Sequence, residues 1–345
     1  MLSTSICEKC YKYIPATIFE KDNQIFLGKT CPEHGYTEYV IEKSATFYNS
    51  LVCDRTAYDP NGYVVEITDR CNLKCPHCYQ EPDNAKADVS ISYLLDQISN
   101  YPADGYSITL AGAEPTMRED LCVIIEGIKK LGRDVNLLTN GLKLSQADYV
   151  QRLLDAGCEF VTIGLNHPDY QGEKIHQKQL EGRANCVAMG LRIKNINYTL
   201  ESVDQIPFIL DEIQHFKNTA EEYRIRGGAE IGRYPDVPRS YLSDIVSAVS
   251  AHSTSQNWNV TKPAADDNLY HYMLNINGLS HRLIQWADDK TVDLDELCCG
   301  PWGQFAPGAP MTNLMLQVIL RDRSVNKKIF LTNHVPSKYV YDKRN

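Results

Sequence analysis

The chain of 345 residues, 43% hydrophobic and 23% charged, has room for about two domains with a sizeable core and reads as an ordinary soluble globular protein. A formal net charge of −9 argues against broad binding to nucleic acid or anionic membranes, and no uncharged apolar run is long enough to suggest a transmembrane helix. Twelve cysteines, with no apolar export segment over Met1 to Cys10, point to metal or redox chemistry in the reducing cytoplasm rather than to disulfides.

Residues 1–58 read as a small unit of their own. Cys7-Glu8-Lys9-Cys10 is a C-x-x-C turn, and Cys31-Pro32-Glu33-His34-Gly35 follows after a hairpin-like stretch. Alternation through 16–20, a turn at Lys21-Asp22-Asn23 and resumption at 24–27 predict two strands that bring the cysteine turns together. A tetrahedral site needs four thiolate or imidazole ligands. Cys7, Cys10 and Cys31 supply three. The fourth is Cys53 or His34, and Cys53 is favoured, giving an all-thiolate site for zinc or a single iron. Such a site is usually a staple for a segment too small to hold a core; an electron-transfer iron is the alternative.

The next cysteines stand in Thr68-Asp69-Arg70-Cys71-Asn72-Leu73-Lys74-Cys75-Pro76-His77-Cys78-Tyr79, directly after a strand-like run. Three thiolates on one short loop can hold three irons of a 4Fe–4S cubane. A fully protein-bound cubane needs four ligands, so the fourth iron is left open. Zinc knuckles show C-x-x-C pairs and bacterial ferredoxins a longer run; neither spacing occurs around Cys71. The C-x-x-x-C-x-x-C spacing resembles the signature of the radical S-adenosylmethionine (radical SAM) superfamily. That resemblance implies a cosubstrate chelated at the open iron through its amino and carboxylate groups. One-electron reduction then cleaves it to methionine and a 5′-deoxyadenosyl radical. The N-terminal unit, over residues 7–35, resembles the cysteine-bearing segment of radical SAM proteins related to archaeal tetraether lipid synthases and pterin methyltransferases, which share the C-x-x-C, β-rich spacer and C-P-x-H-G.

Residues 59–235 alternate strand and helix. Strand-like runs cover 63–68, 106–111, 135–139, 160–165, 193–200 and 223–228; helix-like segments cover 89–101, 118–131, 145–156 and 174–190. Repeated strand–helix units predict an α/β fold with a parallel sheet and right-handed crossovers. Six units match the partial, TIM-like (β/α)6 barrel of the superfamily, whose chemistry sits at the C-terminal strand ends.

Those ends carry the candidate cosubstrate residues. Leu110-Ala111-Gly112-Ala113-Glu114-Pro115-Thr116 resembles the family's G-G-E-P motif, with Ala113 at the second glycine. Gly112 permits close backbone approach. The Glu114 carboxylate can bond a cationic amino group, although an acid before proline is also an ordinary helix-start residue. Thr139-Asn140-Gly141 ends the third strand, where the family often places a ribose contact; Asn-Gly is also a plain turn signal. Asn166 ends the fourth strand, following Gly164 where many relatives have serine. Arg226 shares a face with Arg224 on the sixth strand and could clamp a carboxylate. The backbone at His77 falls near adenine by family likeness.

Residues 236–345 read as an α+β substrate or cap region. A helix is expected over 239–252, then a hairpin of 270–275 and 280–287 around Asn277-Gly278, then an apolar run over 314–320. Cys298 and Cys299 are too few for an auxiliary cubane; Cys122, Cys158 and Cys186 read as packing residues. The whole reads as a radical SAM enzyme, a transferase or oxidoreductase, that abstracts hydrogen from an unactivated C–H bond. Its substrate would be a small or lipid-like molecule undergoing methylation or C–C coupling, or a peptide, with ferredoxin or flavodoxin as reductant. The rival is a non-catalytic metal-binding interaction protein, which would have no use for Gly112 and Glu114 one strand after the cysteine loop.

Overall fold

The computed structural model describes residues 2–7, 10, 13–51, 62–76, 78, 82–101, 107–216, 219–227, 240–253, 258–261, 271–276, 279–284, 313–322 and 327–336. Strands β1 (Leu2–Ile6), β2 (Tyr13–Lys21), β3 (Gln24–Cys31) and β4 (Gly35–Glu42) form an antiparallel sheet in that order. The hairpin expected at Lys21-Asp22-Asn23 is there. Lys21 pairs with Gln24, and Asp22 and Asn23 both take positive φ, 51° and 59°. A two-residue turn of that hand matches the twist of the flanking strands, and Asp and Asn tolerate the left-handed region best after glycine. The sheet carries Cys31, at the end of β3, back to Cys7, which follows β1.

The N-terminal unit packs onto the rest of the chain. Ile18, Ile25, Ala45 and Tyr48 join the main hydrophobic core. The buried Glu42 carboxylate, at the end of β4, accepts from Ser243 Oγ at 2.5 Å and from the Lys43 N–H at 2.7 Å. Helix α1 (Ala45–Leu51) follows, with Ser44 Oγ accepting the Phe47 N–H at 3.2 Å.

Six parallel strands then lie side by side in chain order: β5 (Gly62–Glu66), β6 (Ser107–Ala111), β7 (Val135–Thr139), β8 (Phe160–Gly164), β9 (Arg192–Leu200) and β10 (Glu222–Gly227). Between them run α2 (Ile91–Ser99), α3 (Leu121–Lys130), α4 (Ala147–Asp155), α5 (Pro168–Gln171), α6 (Glu173–Met189) and α7 (Ile206–His215). This is the expected (β/α)6 order, and the sheet is open: its edge strands do not pair with each other among the described residues. One side chain in two along each strand, such as Leu110, Leu137, Ile163, Tyr198 and Ile225, is buried in the common core with Leu94, Ile98, Ile125 and Leu153 of the helices. The opposite face is polar. There Asn136 Nδ2 donates to Thr109 Oγ1 and Thr162 Oγ1 donates to Asn136 Oδ1, both at 3.2 Å.

Helix α7 was not among the expected segments. Its apolar residues Ile206, Ile209, Leu210 and Ile213 have helical spacing and are buried, and a proline sits in its first turn. Beyond β10 come α8 (Leu242–Ser253), β11 (Trp258–Thr261), β12 (His271–Ile276), β13 (Leu279–Ile284), β14 (Asn313–Asp322) and β15 (Lys327–Pro336). The expected hairpin forms, with Ile276 opposite Leu279. Strand β15 pairs parallel to β10, and β14 antiparallel to β15, so the main sheet continues into the C-terminal region. No helix among the described residues is long and apolar enough to cross a membrane.

Candidate cluster and cosubstrate site

The cysteine loop leaves β5 and is fastened on both sides. Ala113 N–H donates to Thr68 O at 3.0 Å, and Glu114 N–H to Arg70 O at 2.9 Å. Across the loop, Thr68 Oγ1 donates to Asp88 Oδ1 at 2.6 Å, and Arg70 pairs with the same carboxylate. The Asp83 N–H donates to Asp69 O at 3.0 Å, and the Cys71 N–H to Asn84 Oδ1 at 2.8 Å. Buried Arg118 bonds Ile67 O at 2.9 Å and Val89 O at 3.0 Å while pairing with Asp120. These contacts hold the loop against the β6 exit on one side and the segment before α2 on the other.

Cys71 is buried, and Cys75 and Cys78 are half-buried. Burial pushes the Cys71 thiol up to about 12, and the charges of Glu114, Cys75 and Cys78 push the same way. A thiolate here needs a cation beside it, which bound iron would supply. The donor set, three soft thiolates on one loop, fits an iron–sulfur cluster with one corner open. Among the described cysteines the other six are placed elsewhere. Cys7, Cys10 and Cys31 belong to the N-terminal group. Cys122 and Cys158 bond the Arg152 and Phe160 carbonyls, and Cys186 is buried on α6. Cys298 and Cys299 lie outside the described residues.

Gly112, Glu114, Thr139 and Asn140 are brought together at the β6 and β7 exits. Gly112 has φ +129°, and a Cβ there would stand 2.4 Å from the Thr68 carbonyl oxygen. Only glycine lets this strand exit lie against the start of the cysteine loop. Glu114 is fully buried and begins the 3-10 turn Pro115–Met117. Its Oε1 accepts from the Thr116 N–H at 3.1 Å, Thr116 Oγ1 at 2.5 Å and Thr139 Oγ1 at 2.7 Å; its Oε2 accepts the Asn140 N–H at 2.7 Å. Burial raises its pKa, with these donors opposing. The helix-start reading of Glu114 is thus realised, and the same carboxylate brackets two strand exits. Asn140 Nδ2 donates to Asn72 Oδ1 at 2.8 Å, tying the β7 exit to the residue after Cys71.

Asn166, just past β8, accepts the Thr199 N–H on Oδ1 at 3.2 Å, and its backbone oxygen bonds His176 Nδ1 at 2.9 Å. Arg226 lies on β10 opposite Thr199 of β9 and Thr332 of β15. His77 lies outside the described residues.

In the N-terminal unit, one ligand atom from each of Cys7, Cys10, Cys31 and His34 lies within 4.8 Å of the others. Cys7 Sγ and Cys31 Sγ are each 3.4 Å from His34 Nδ1, and Cys10 Sγ is 3.7 Å from Cys31 Sγ. The structure completes this group with His34; Cys53, the residue favoured from sequence, lies outside the described residues.

Sequence reading missed Gln171, Asn72 and Asn84. Gln171 Nε2 donates to Cys75 Sγ at 2.9 Å across 96 residues of chain, which no local pattern signals. Asn72 and Asn84 flank the motif and carried no signal beyond being short polar residues in a loop.

Residues 65–222 match the model of the radical SAM superfamily, and residues 2–43 match the HMPTM N-terminal zinc ribbon domain. The chain is 32% identical over 230 residues to a 7,8-dihydro-6-hydroxymethylpterin dimethyltransferase of Methanocaldococcus jannaschii, a match spanning 54% of this chain and 44% of that one. It is 31% identical over 173 residues to a probable GTP 3′,8-cyclase of Methanococcus maripaludis, covering 46% and 56%. It is also similar to the crystal structure of Streptococcus suis SuiB bound to S-adenosylmethionine, at 18% identity and a TM-score of 0.45, covering 57% of this chain and 48% of that one. The chain thus spans about half the length of the curated relatives it matches. The family match falls on the open parallel sheet and the three-cysteine loop after its first strand, so the chain carries a radical SAM domain over residues 65–222.

Proposed function

We propose that the chain cleaves S-adenosylmethionine reductively at a 4Fe–4S cluster held by Cys71, Cys75 and Cys78, and abstracts hydrogen from an unactivated C–H bond of a small polar molecule. The observation that carries this reading is the three-thiol loop at the β5 exit, fastened to the Gly112–Glu114 exit of β6. When bound, cluster and cosubstrate supply one-electron S–C5′ cleavage and a 5′-deoxyadenosyl radical. The chain's own residues do the positioning. Gly112 lets the β6 exit approach the loop, Glu114 holds the β6 and β7 exits together, and Asn140 joins that pair to Asn72. His77, Gly112, Thr139, Asn140, Asn166 and Arg226 are the residues proposed to line the cosubstrate, with Glu114 behind them. A ferredoxin or flavodoxin would deliver the electron.

The polar face of the sheet favours a hydrogen-bonding substrate over a lipid chain. Thr109, Asn136 and Thr162 form a bonded row there, and the Asn195 and Asn197 Oδ1 atoms are buried with no partner among the described residues. Such acceptors suit a substrate rich in N–H or O–H groups. Methylation of a heterocycle is the outcome we favour, on the likeness to the pterin dimethyltransferase and its zinc ribbon.

Anaerobic reconstitution, reduction with dithionite and incubation with S-adenosylmethionine tests the reading. Release of 5′-deoxyadenosine supports it. No release from protein carrying about four irons at the central site contradicts it.

A further inference from the structure

Gln171 is held over the cysteine loop by a short turn. His167 Nδ1 accepts the Asp169 N–H at 3.2 Å, and Pro168 opens α5. The His167 ring packs edge-on against Phe208 at 4.5 Å, fixing the turn against α7. At its end Gly172 takes φ +88° and donates its N–H to Pro168 O at 2.7 Å. The side chain so presented donates from Nε2 to Cys75 Sγ at 2.9 Å, while Oε1 is buried without a partner among the described residues. A thiolate has no proton to give, so once iron is bound only the NH2 edge of the amide can face the sulfur.

We propose that Gln171 sets the reduction potential of the cluster through Cys75, an inference that rests on the cubane reading above. Adding an electron to the cluster increases negative charge on its thiolate sulfurs. An N–H dipole aimed at one of them stabilises the reduced form more than the oxidised one and raises the potential. Among the described residues Cys71 takes a local backbone donor, the Leu73 N–H at 3.3 Å. The donor to Cys75 comes from a different strand exit, so the geometry after β8 is transmitted to the electron-accepting group after β5. Gln171 is therefore a positioning and tuning residue rather than a catalytic one.

The test compares reconstituted wild type, Gln171→Leu and Gln171→Glu by iron analysis and an EPR-monitored redox titration without S-adenosylmethionine. Gln171→Leu removes both the donor and the unpartnered carbonyl, so folding is little affected. It is expected to keep its iron and to weaken the reduction equilibrium about tenfold, a fall of about 59 mV for a one-electron couple. Gln171→Glu places an acceptor and a negative charge at the same point, and its potential falls further. An unchanged midpoint in Gln171→Leu, or loss of the cluster from both variants, overturns the proposal. If wild type itself assembles no cluster, the cubane reading fails as well. A wild-type cluster beside an unmoved Gln171→Leu midpoint sinks this inference alone.

Discussion

The Oε2 atom of Glu114 accepts the backbone N–H of Asn140 at 2.7 Å, joining the exits of two neighbouring parallel strands through one buried carboxylate. Its other oxygen takes three further donors from Thr116 and Thr139. Glutamine in this place would leave four donors competing for one oxygen, with an NH2 group facing an N–H or O–H. Glu114→Gln is expected to lower stability by about 1–3 kcal/mol. It should also slow 5′-deoxyadenosine release about 10–100-fold with iron content retained, as loss of an outer-shell support does elsewhere. Urea unfolding and product chromatography measure the two effects. An unchanged release rate would show that the bracket does not serve the site.

The N-terminal metal group makes a separate prediction. Cys7, Ile14 and Cys31 form a buried cluster too small to hold a four-stranded sheet by itself. With His34 as the fourth ligand, His34→Ala should lose about one metal equivalent and leave the central irons in place. Cys53→Ser should keep all of them. Metal analysis of the purified variants decides the matter, and the reverse pattern would return the fourth position to Cys53. The same analysis shows whether the bound ion is zinc or iron.

His176 on α6 makes stability depend on pH. Its Nδ1 bonds Asn166 O and its Nε2 bonds Glu212 Oε2, both at 2.9 Å, while Tyr198 donates to Glu212 Oε1 at 2.6 Å. Burial pulls the His176 pKa down. The Glu212 carboxylate and the Asn166 carbonyl outweigh that, and the net direction is upward from the ordinary value of 6.5. The folded protein therefore holds this proton more tightly than the unfolded chain. The stabilisation is fully present below an unfolded-state pKa of about 6.5 and is lost as pH rises through the higher folded-state value. His176→Phe removes one partner of a buried pair and should cost about 3–5 kcal/mol at acid pH. Urea titrations of both proteins across this range should show the difference shrinking towards alkaline pH. A difference that does not vary with pH would contradict the account.

What was legible in the sequence follows from what each feature is made of. The six strands and the Asp22-Asn23 turn could be read because apolar alternation and turn residues encode them locally. Helix α6 was legible as a span over 174–190, within a residue of its observed bounds, but its inward face was not. Its buried stripe of His176, Gln179, Arg183 and Cys186 is mostly polar, so no apolar period announces it. The stripe faces strand exits, and Gln179 Nε2 bonds both Asn140 O and Gly164 O at 2.9 Å. Cys71, Cys75 and Cys78 declared themselves by spacing. His34 could be read from the Cys31-Pro32-Glu33-His34 turn, though ranked behind Cys53; Gln171 could not, because only folding brings it to Cys75. The roles expected of Glu114 differed for the same reason: the motif marks its position, and the donors that surround it come from the next strand exit.

The central claim is that three thiolates leave one iron corner for the amino and carboxylate groups of S-adenosylmethionine. Electron–nuclear double resonance on the dithionite-reduced protein, with cosubstrate labelled with 15N at the amino group and 17O at the carboxylate, tests it most directly. Hyperfine coupling of both nuclei to the cluster, together with a changed EPR spectrum on addition, is the predicted result. A fully loaded cluster whose spectrum is unmoved, with neither coupling present, would contradict it.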